Sequence, residues 1–71
     1  MTATTTPPSI ALMAVKDSTS GLYYITLGNI HIWFGSGTPT HSALAIGDLA
    51  VDEASGKWYR ATDTSGSWTA M

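Results

Sequence analysis

The side chains that could do chemistry in this 71-residue chain are two histidines, five carboxylates and many hydroxyls. A hydrolase or transferase site needs a nucleophile, a base and an orienting group within reach of one another. Ser and Thr are too abundant here to mark a nucleophile. His31 alternates with Ile30 and Ile32, which predicts an exposed or interface side chain, and His41 follows Pro39 in a loop without an identifiable partner. We therefore predict no catalytic residues and no enzyme.

The carboxylates do not form a recognisable metal-binding motif. Asp48, Asp52, Glu53 and Asp63 lack the spacing of a calcium-binding loop, and Asp-Thr-Ser-Gly is better explained as a turn. There is no Cys, and the seven Gly residues are spread over turn positions and form no phosphate-binding loop. These patterns predict no metal and no cofactor.

The charge and length of the chain limit its partners. The net charge is −2 with three Lys plus Arg, so the sequence lacks the basic patch that is typical of a nucleic-acid-binding surface. No apolar run reaches the roughly 20 residues of a membrane span, and the start lacks a secretory signal pattern.

The short length predicts that the chain associates with other chains. Domains below roughly 70–80 residues usually need a disulfide, a metal or an oligomer to be stable. No charged residue lies between Asp17 and Asp48. We therefore expect this stretch to be covered by other protein chains.

The hydrophobic pattern predicts an all-β fold with one domain. Residues 1–9 form an extended Thr/Pro-rich arm, and residues 10–71 form one small β domain that contains a long Gly/Pro loop at 35–47. Beyond the arm the apolar period is two, as in strands. The fold predicted is an antiparallel meander of hairpins, either a sheet or a small barrel or sandwich, with strands at 10–16, 21–27, 29–34, 48–53, 57–62 and 67–70.

A weak internal repeat marks the turns of this meander. Each unit has an acidic residue, then Ser-Gly, then an aromatic one or two residues on. Asp accepts backbone N–H groups two residues ahead, and Gly adopts positive φ without strain. The repeat predicts hairpin turns at Asp17, Gly21, Gly56, Asp63 and Gly66.

The aromatic residues allow three interpretations, which are a domain core, an interface between chains and a sugar-stacking platform. We rank core and interface above sugar. Trp33 lies beside His31 on the polar side of its strand pattern, which makes it the best candidate for an interface or a ligand contact. The predicted partner contacts are Thr4, Thr5, Thr6, Pro7, Pro8, His31, Trp33, Pro39 and His41.

The second half of the chain resembles a hairpin module of tailed-bacteriophage virion proteins. That module has a Gly-x-Pro-Thr loop, a Gly-Asp-Leu-x-Val-Asp strand, a Gly turn, an aromatic strand and a closing Trp-Thr strand. The matching residues are Gly37, Pro39, Thr40, Gly47, Asp48, Leu49, Val51, Asp52, Gly56, Tyr59, Trp68 and Thr69. The chain departs from the module at Ala50, where an aromatic residue is common. Residues 1–34 carry no part of the resemblance.

The resemblance implies a β-rich, often trimeric building block of a virion. The short length fits a capsid decoration or cement protein on the outer capsid surface, which bridges and stabilises subunits of the major capsid protein or other virion proteins. Two alternatives remain open at this point. One is a tail or fibre accessory or receptor-binding module, and the other is a small inhibitor of a host protein.

Overall fold

The computed structural model describes residues 1–2 and 14–71, and all its regular elements there are strands. The strands form one open sheet in chain order. Their bounds are β1 (Val15–Lys16), β2 (Tyr23–Leu27), β3 (Ile30–Gly35), β4 (Leu49–Asp52), β5 (Lys57–Ala61) and β6 (Trp68–Ala70). The all-β prediction is confirmed, and of the predicted alternatives the chain adopts the open sheet.

The structure describes only part of the predicted N-terminal arm and of the strand predicted after it. Of the predicted strand 10–16, residues 10–13 lie outside the described residues, as do Thr4, Thr5, Thr6, Pro7 and Pro8. Met1 packs on the core cluster, and Thr2 forms a β-bridge with Ser36. The first two residues of the predicted arm therefore make contacts with the domain.

One strand pair departs from the meander of hairpins. β3 and β4 pair in parallel, with Trp33 opposite Ala50, whereas every other neighbouring pair is antiparallel. A parallel partner requires the chain to return to the starting end of the sheet, which takes about a dozen residues or more. Residues 36–48 make this return without a helix. We call this segment the crossover.

The sequence repeat corresponds to two turns with the same hydrogen bonds. In the β1–β2 turn, the Asp17 backbone oxygen accepts from Gly21 N at 2.8 Å, and its carboxylate accepts from Ser20 Oγ at 2.6 Å. In the β4–β5 turn, Asp52 accepts from Gly56 N and from Ser55 Oγ, both at 2.7 Å.

The glycines of these two turns also share one backbone conformation. Gly21 has a φ of 76° and Gly56 a φ of 77°, values that glycine adopts without steric cost. The third predicted turn is built differently. There Gly66 has a φ of 109°, and the Asp63 carboxylate accepts from Ser65 N and Ser67 N. These two backbone bonds, that of Ser65 first, lower the pKa of Asp63 to about 2.

The two faces of the sheet differ in what covers them. The face that carries Trp33 holds the core of Leu22, Trp33 and Ala50, with Met1, Tyr24 and Trp68 packed against it. The crossover also packs here, so we call this side the crossover face. Strand register places Tyr23, Ile25, Leu27, Ile30, Ile32, Phe34, Leu49, Val51 and Trp58 on the other side, which we call the apolar face.

Candidate functional site

A buried carboxylate anchors the crossover to β3. Asp48 is fully buried, and its carboxylate accepts from His31 N at 2.9 Å and from Trp33 Nε1 at 3.0 Å. It also accepts from Leu44 N at 3.1 Å and Ala45 N at 3.3 Å, within the crossover itself. One side chain therefore ties the end of the crossover to β3 at two points, which are the start of the strand and its central tryptophan.

The ionised form of Asp48 is stabilised in place. Burial opposes ionisation, but the hydrogen bonds from Trp33 and His31 outweigh it and hold the pKa of Asp48 below its usual value. His31 Nδ1 lies 3.1 Å from the same carboxylate. A carboxylate–imidazole pair can orient a catalytic base, but among the described residues no hydroxyl hydrogen-bonds to His31. The contacts shown are those of a structural anchor.

His41 is enclosed by two tryptophans at the centre of the crossover face. Its ring centroid lies 4.4 Å from that of Trp33 and 4.8 Å from that of Trp68. Its backbone oxygen accepts from Trp68 Nε1 at 2.8 Å. Both ring nitrogens are buried and have no hydrogen-bond partner within the described part of the chain. Burial and, second, the nearby Met1 ammonium lower the pKa of His41 to about 4, so the ring is neutral at pH 7.

A second carboxylate fixes the other end of the crossover. Asp52 Oδ1 accepts from Gly37 N at 2.9 Å and from Ala54 N at 3.0 Å. Hydrogen bonds from Ser55 and then from Gly37 lower the pKa of Asp52. Pro39 is buried between the two anchors. The crossover is thus held at both ends by ionised aspartates, which gives it a defined path over the sheet.

A cavity of about 360 Å³ lies between the crossover and the β1–β2 turn. Asp17, Thr19 and Ser20 line one wall, and crossover residues 40–44 line the other. The Asp17 carboxylate is already engaged by Ser20 Oγ and Ser20 N, bonds that lower the pKa of Asp17. The His41 nitrogens are buried in the stack and are not exposed to this space. The two ionisable side chains that line the cavity are therefore already packed or bonded within the fold, and the other polar side chains of the lining are hydroxyls.

The predicted partner contacts are placed differently from the expectation. Trp33 is fully buried and Pro39 is buried, so neither presents a surface to another chain. His31 and His41 are partly buried, and both serve the crossover. The alternation in β3 is inverted relative to the sequence interpretation, because His31 and Trp33 point toward the covering crossover while the Ile and Phe residues point away.

The apolar face is a continuous row of hydrophobic side chains across β2 to β5. Leu27 is 58% exposed and Trp58 is 42% exposed, and the other seven apolar side chains of this face are partly exposed. Met1 and most of the crossover pack on the opposite side, while Gly47 at the end of the crossover lies beside Ile30 and Arg60. A set of nine large apolar side chains is unusual on the surface of a small domain and is typical of an interaction site.

Charge is segregated between the two faces. Lys16 lies opposite Tyr23, and Arg60 lies opposite Leu49, so both cations belong to the apolar face. Lys57 lies opposite Asp52 on the crossover face. The five carboxylates are on the crossover face or in turns, at Asp17, Asp48, Asp52, Glu53 and Asp63. On the strands, the apolar face therefore carries two positive charges and no negative one, and Glu53 lies in the turn that follows β4.

The described residues contain no group of three or more His, Asp or Glu side chains placed to hold a metal ion. In the same part of the chain, no helix is long and apolar enough to cross a membrane. Comparison with protein-family models, curated proteins and solved structures finds no match to this chain.

Proposed function

We propose that this chain is a non-enzymatic structural protein of a tailed-phage virion, a capsid decoration or cement protein that binds assembled shell subunits. The observation that carries the proposal is the apolar face. A 71-residue chain that leaves nine large apolar side chains partly exposed gains stability when another protein covers them. A binding role accounts for this surface, whereas the buried carboxylates of Asp48 and Asp52 are already used by the fold.

The residues that resemble the phage module support the proposal because they form one structural unit. Gly37 and Asp52 fix the start of the crossover, and Asp48 fixes its end. Trp68 closes the unit by donating to the crossover at His41. The resemblance thus spans a complete arrangement of crossover, β4, β5 and β6, in which the shared residues make the contacts that hold it together.

Stabilisation of a shell follows from multivalency. A small protein that contacts two or more subunits gains its full set of contacts only when those subunits occupy their assembled positions. Among the described strands, β6 has a neighbour on one side only, so its outer edge can add a strand from another chain. This edge suits the self-association, as a trimer, that the resemblance implies. The acidic turns suit the outer surface of the capsid.

Copy number in purified virions tests this proposal. In particles of the phage that encodes the chain, quantitative mass spectrometry should find it in a simple ratio to the major capsid protein. Particles that lack the chain should lose their contents at a lower temperature. A few copies per virion would instead indicate a tail or fibre component. Absence from virions, with a single host protein bound in cells, would indicate an inhibitor and would reject the virion role.

A further inference from the structure

We propose that the apolar face is the docking surface, and that its occupant is a different protein with an apolar centre flanked by carboxylates. This inference rests on the proposed function for the identity of the partner as a shell protein. Its physical basis is the separation of charge on the sheet, which is independent of that function.

Lys16 and Arg60 lie on opposite sides of the row of apolar side chains. Lys16 is on β1 and Arg60 is on β5, four strands apart, which corresponds to about 19 Å at the usual strand spacing. Between them lie β2, β3 and β4, which contribute eight of the nine apolar side chains. A partner that covers this centre will meet one cation near each side, and carboxylates at those positions would pair with them.

Charge also argues against a second copy of the chain as the occupant. If two apolar faces packed on each other, Lys16 and Arg60 of both copies would enter one interface, and no strand residue of either face supplies a carboxylate. Four cations would then be brought together in a region partly removed from water, where like charges repel more strongly than in bulk solvent. Self-association is therefore expected to use another surface, such as the edge of β6.

The test uses two probes with the full-length protein. The first is anilinonaphthalene sulfonate, an anionic aromatic dye that has the two properties required of the partner. The second is a preparation of virions from a phage strain that lacks the chain. The double variant Lys16→Glu/Arg60→Glu removes the cations of the apolar face. Lys57→Glu is the matched control, because it reverses an exposed cation on the opposite face. Circular dichroism and melting curves verify that each variant is folded.

A second pair of variants tests the apolar contribution. Leu27→Gln changes a side chain that is 58% exposed on the apolar face, and Leu44→Gln changes one that is 51% exposed on the crossover. We expect the double charge variant and Leu27→Gln each to weaken binding of dye and particles by about tenfold or more. Both control variants should bind like the unmodified protein, and binding should weaken as salt is raised.

The outcomes separate this inference from the proposed function. Equal dye binding by all variants would overturn the docking surface, whatever happens with particles. Particles that bind the unmodified protein and the double charge variant equally would overturn it too, while the virion role would survive. If the dye results are as expected but no protein binds particles, the virion role fails and the surface stands. The unmodified protein could instead form dimers that dissociate in the Leu27→Gln variant but persist in the double charge variant. That result would identify a second copy of the chain as the occupant and reject a distinct partner.

Discussion

Replacing His41 with phenylalanine separates the packing role of this ring from its ionisation. The ring lies between Trp33 and Trp68, and its two nitrogens have no hydrogen-bond partner among the described residues. A phenyl ring keeps the aromatic stack and removes both buried polar atoms. The bond from Trp68 Nε1 to the backbone oxygen of residue 41 is retained in the variant.

The size of the pH effect on the free energy of unfolding follows from the change in the pKa of His41 on folding. His41 has a pKa of about 4 in the folded chain against an ordinary value of 6.5. As pH falls below 6.5, His41 binds a proton in the unfolded chain before it does so in the folded chain. The stability that depends on a neutral His41 is therefore complete above pH 6.5 and is lost progressively toward pH 4. One pKa unit corresponds to about 1.4 kcal/mol. Because the ring is only partly buried and solvent screens its charge, we expect a loss of about 1–2 kcal/mol over this range.

Urea unfolding followed by tryptophan fluorescence at several pH values measures this dependence. The His41→Phe variant should be about 1 kcal/mol more stable than the unmodified protein at pH 7, because an unpaired polar group leaves the interior. It should also lose less stability between pH 6.5 and pH 4. Ser42→Ala, an exposed change in the same segment, serves as the control. An identical pH slope for His41→Phe and the unmodified protein would refute the assignment of His41 as a buried neutral ring.

Two further comparisons test the anchors and the turns. Asp48→Asn should lower the free energy of unfolding by about 2–4 kcal/mol, because the amide turns an acceptor into a donor among the N–H groups that face it. Glu53→Gln, at an exposed turn position, should leave the unfolding midpoint unchanged, and equal midpoints for the two variants would contradict the anchor. Gly56→Ala should cost about 1–2 kcal/mol from its positive φ alone, since nothing lies within 4 Å of the added methyl. Gly66→Ala should lower the free energy of unfolding by more than Gly56→Ala does, because its methyl would lie 2.9 Å from the Thr40 backbone oxygen. A smaller loss than at Gly56 would show that the crossover backbone shifts to make room for the methyl.

Local patterns predicted the strands and turns because both depend on nearby residues. The period-two alternation located β2 through β6 to within two residues at each end. The Asp-to-Gly spacing located turns whose hydrogen bonds close within five residues, as at Asp17 and Asp52. Such contacts are encoded over a short stretch of chain, so a single sequence is enough to find them.

The buried face was not predictable in the same way. Alternation in β3 favours Ile30, Ile32 and Phe34 as the inward side, because they are the more apolar set. The structure buries Trp33 instead, since its indole N–H meets the carboxylate of Asp48, 15 residues further along the chain. The sequence did contain one signal, because a connection of 13 residues is longer than the two to five residues typical of a hairpin loop. That length favours a parallel pair and a segment that covers one face.

The parallel pair also divides the chain into two three-stranded meanders, β1–β3 and β4–β6, and this has a consequence for how fast the chain folds. Within each meander neighbouring strands are joined by short turns, and hairpins of this kind form in roughly 1–10 μs. β3 and β4 can pair only after the crossover has returned along the sheet, which requires closure of a longer loop. The rate-limiting event should therefore be the joining of two partly formed meanders. Substitutions at Asp48 should slow refolding, whereas those at Gly56 should mainly change the rate within one hairpin.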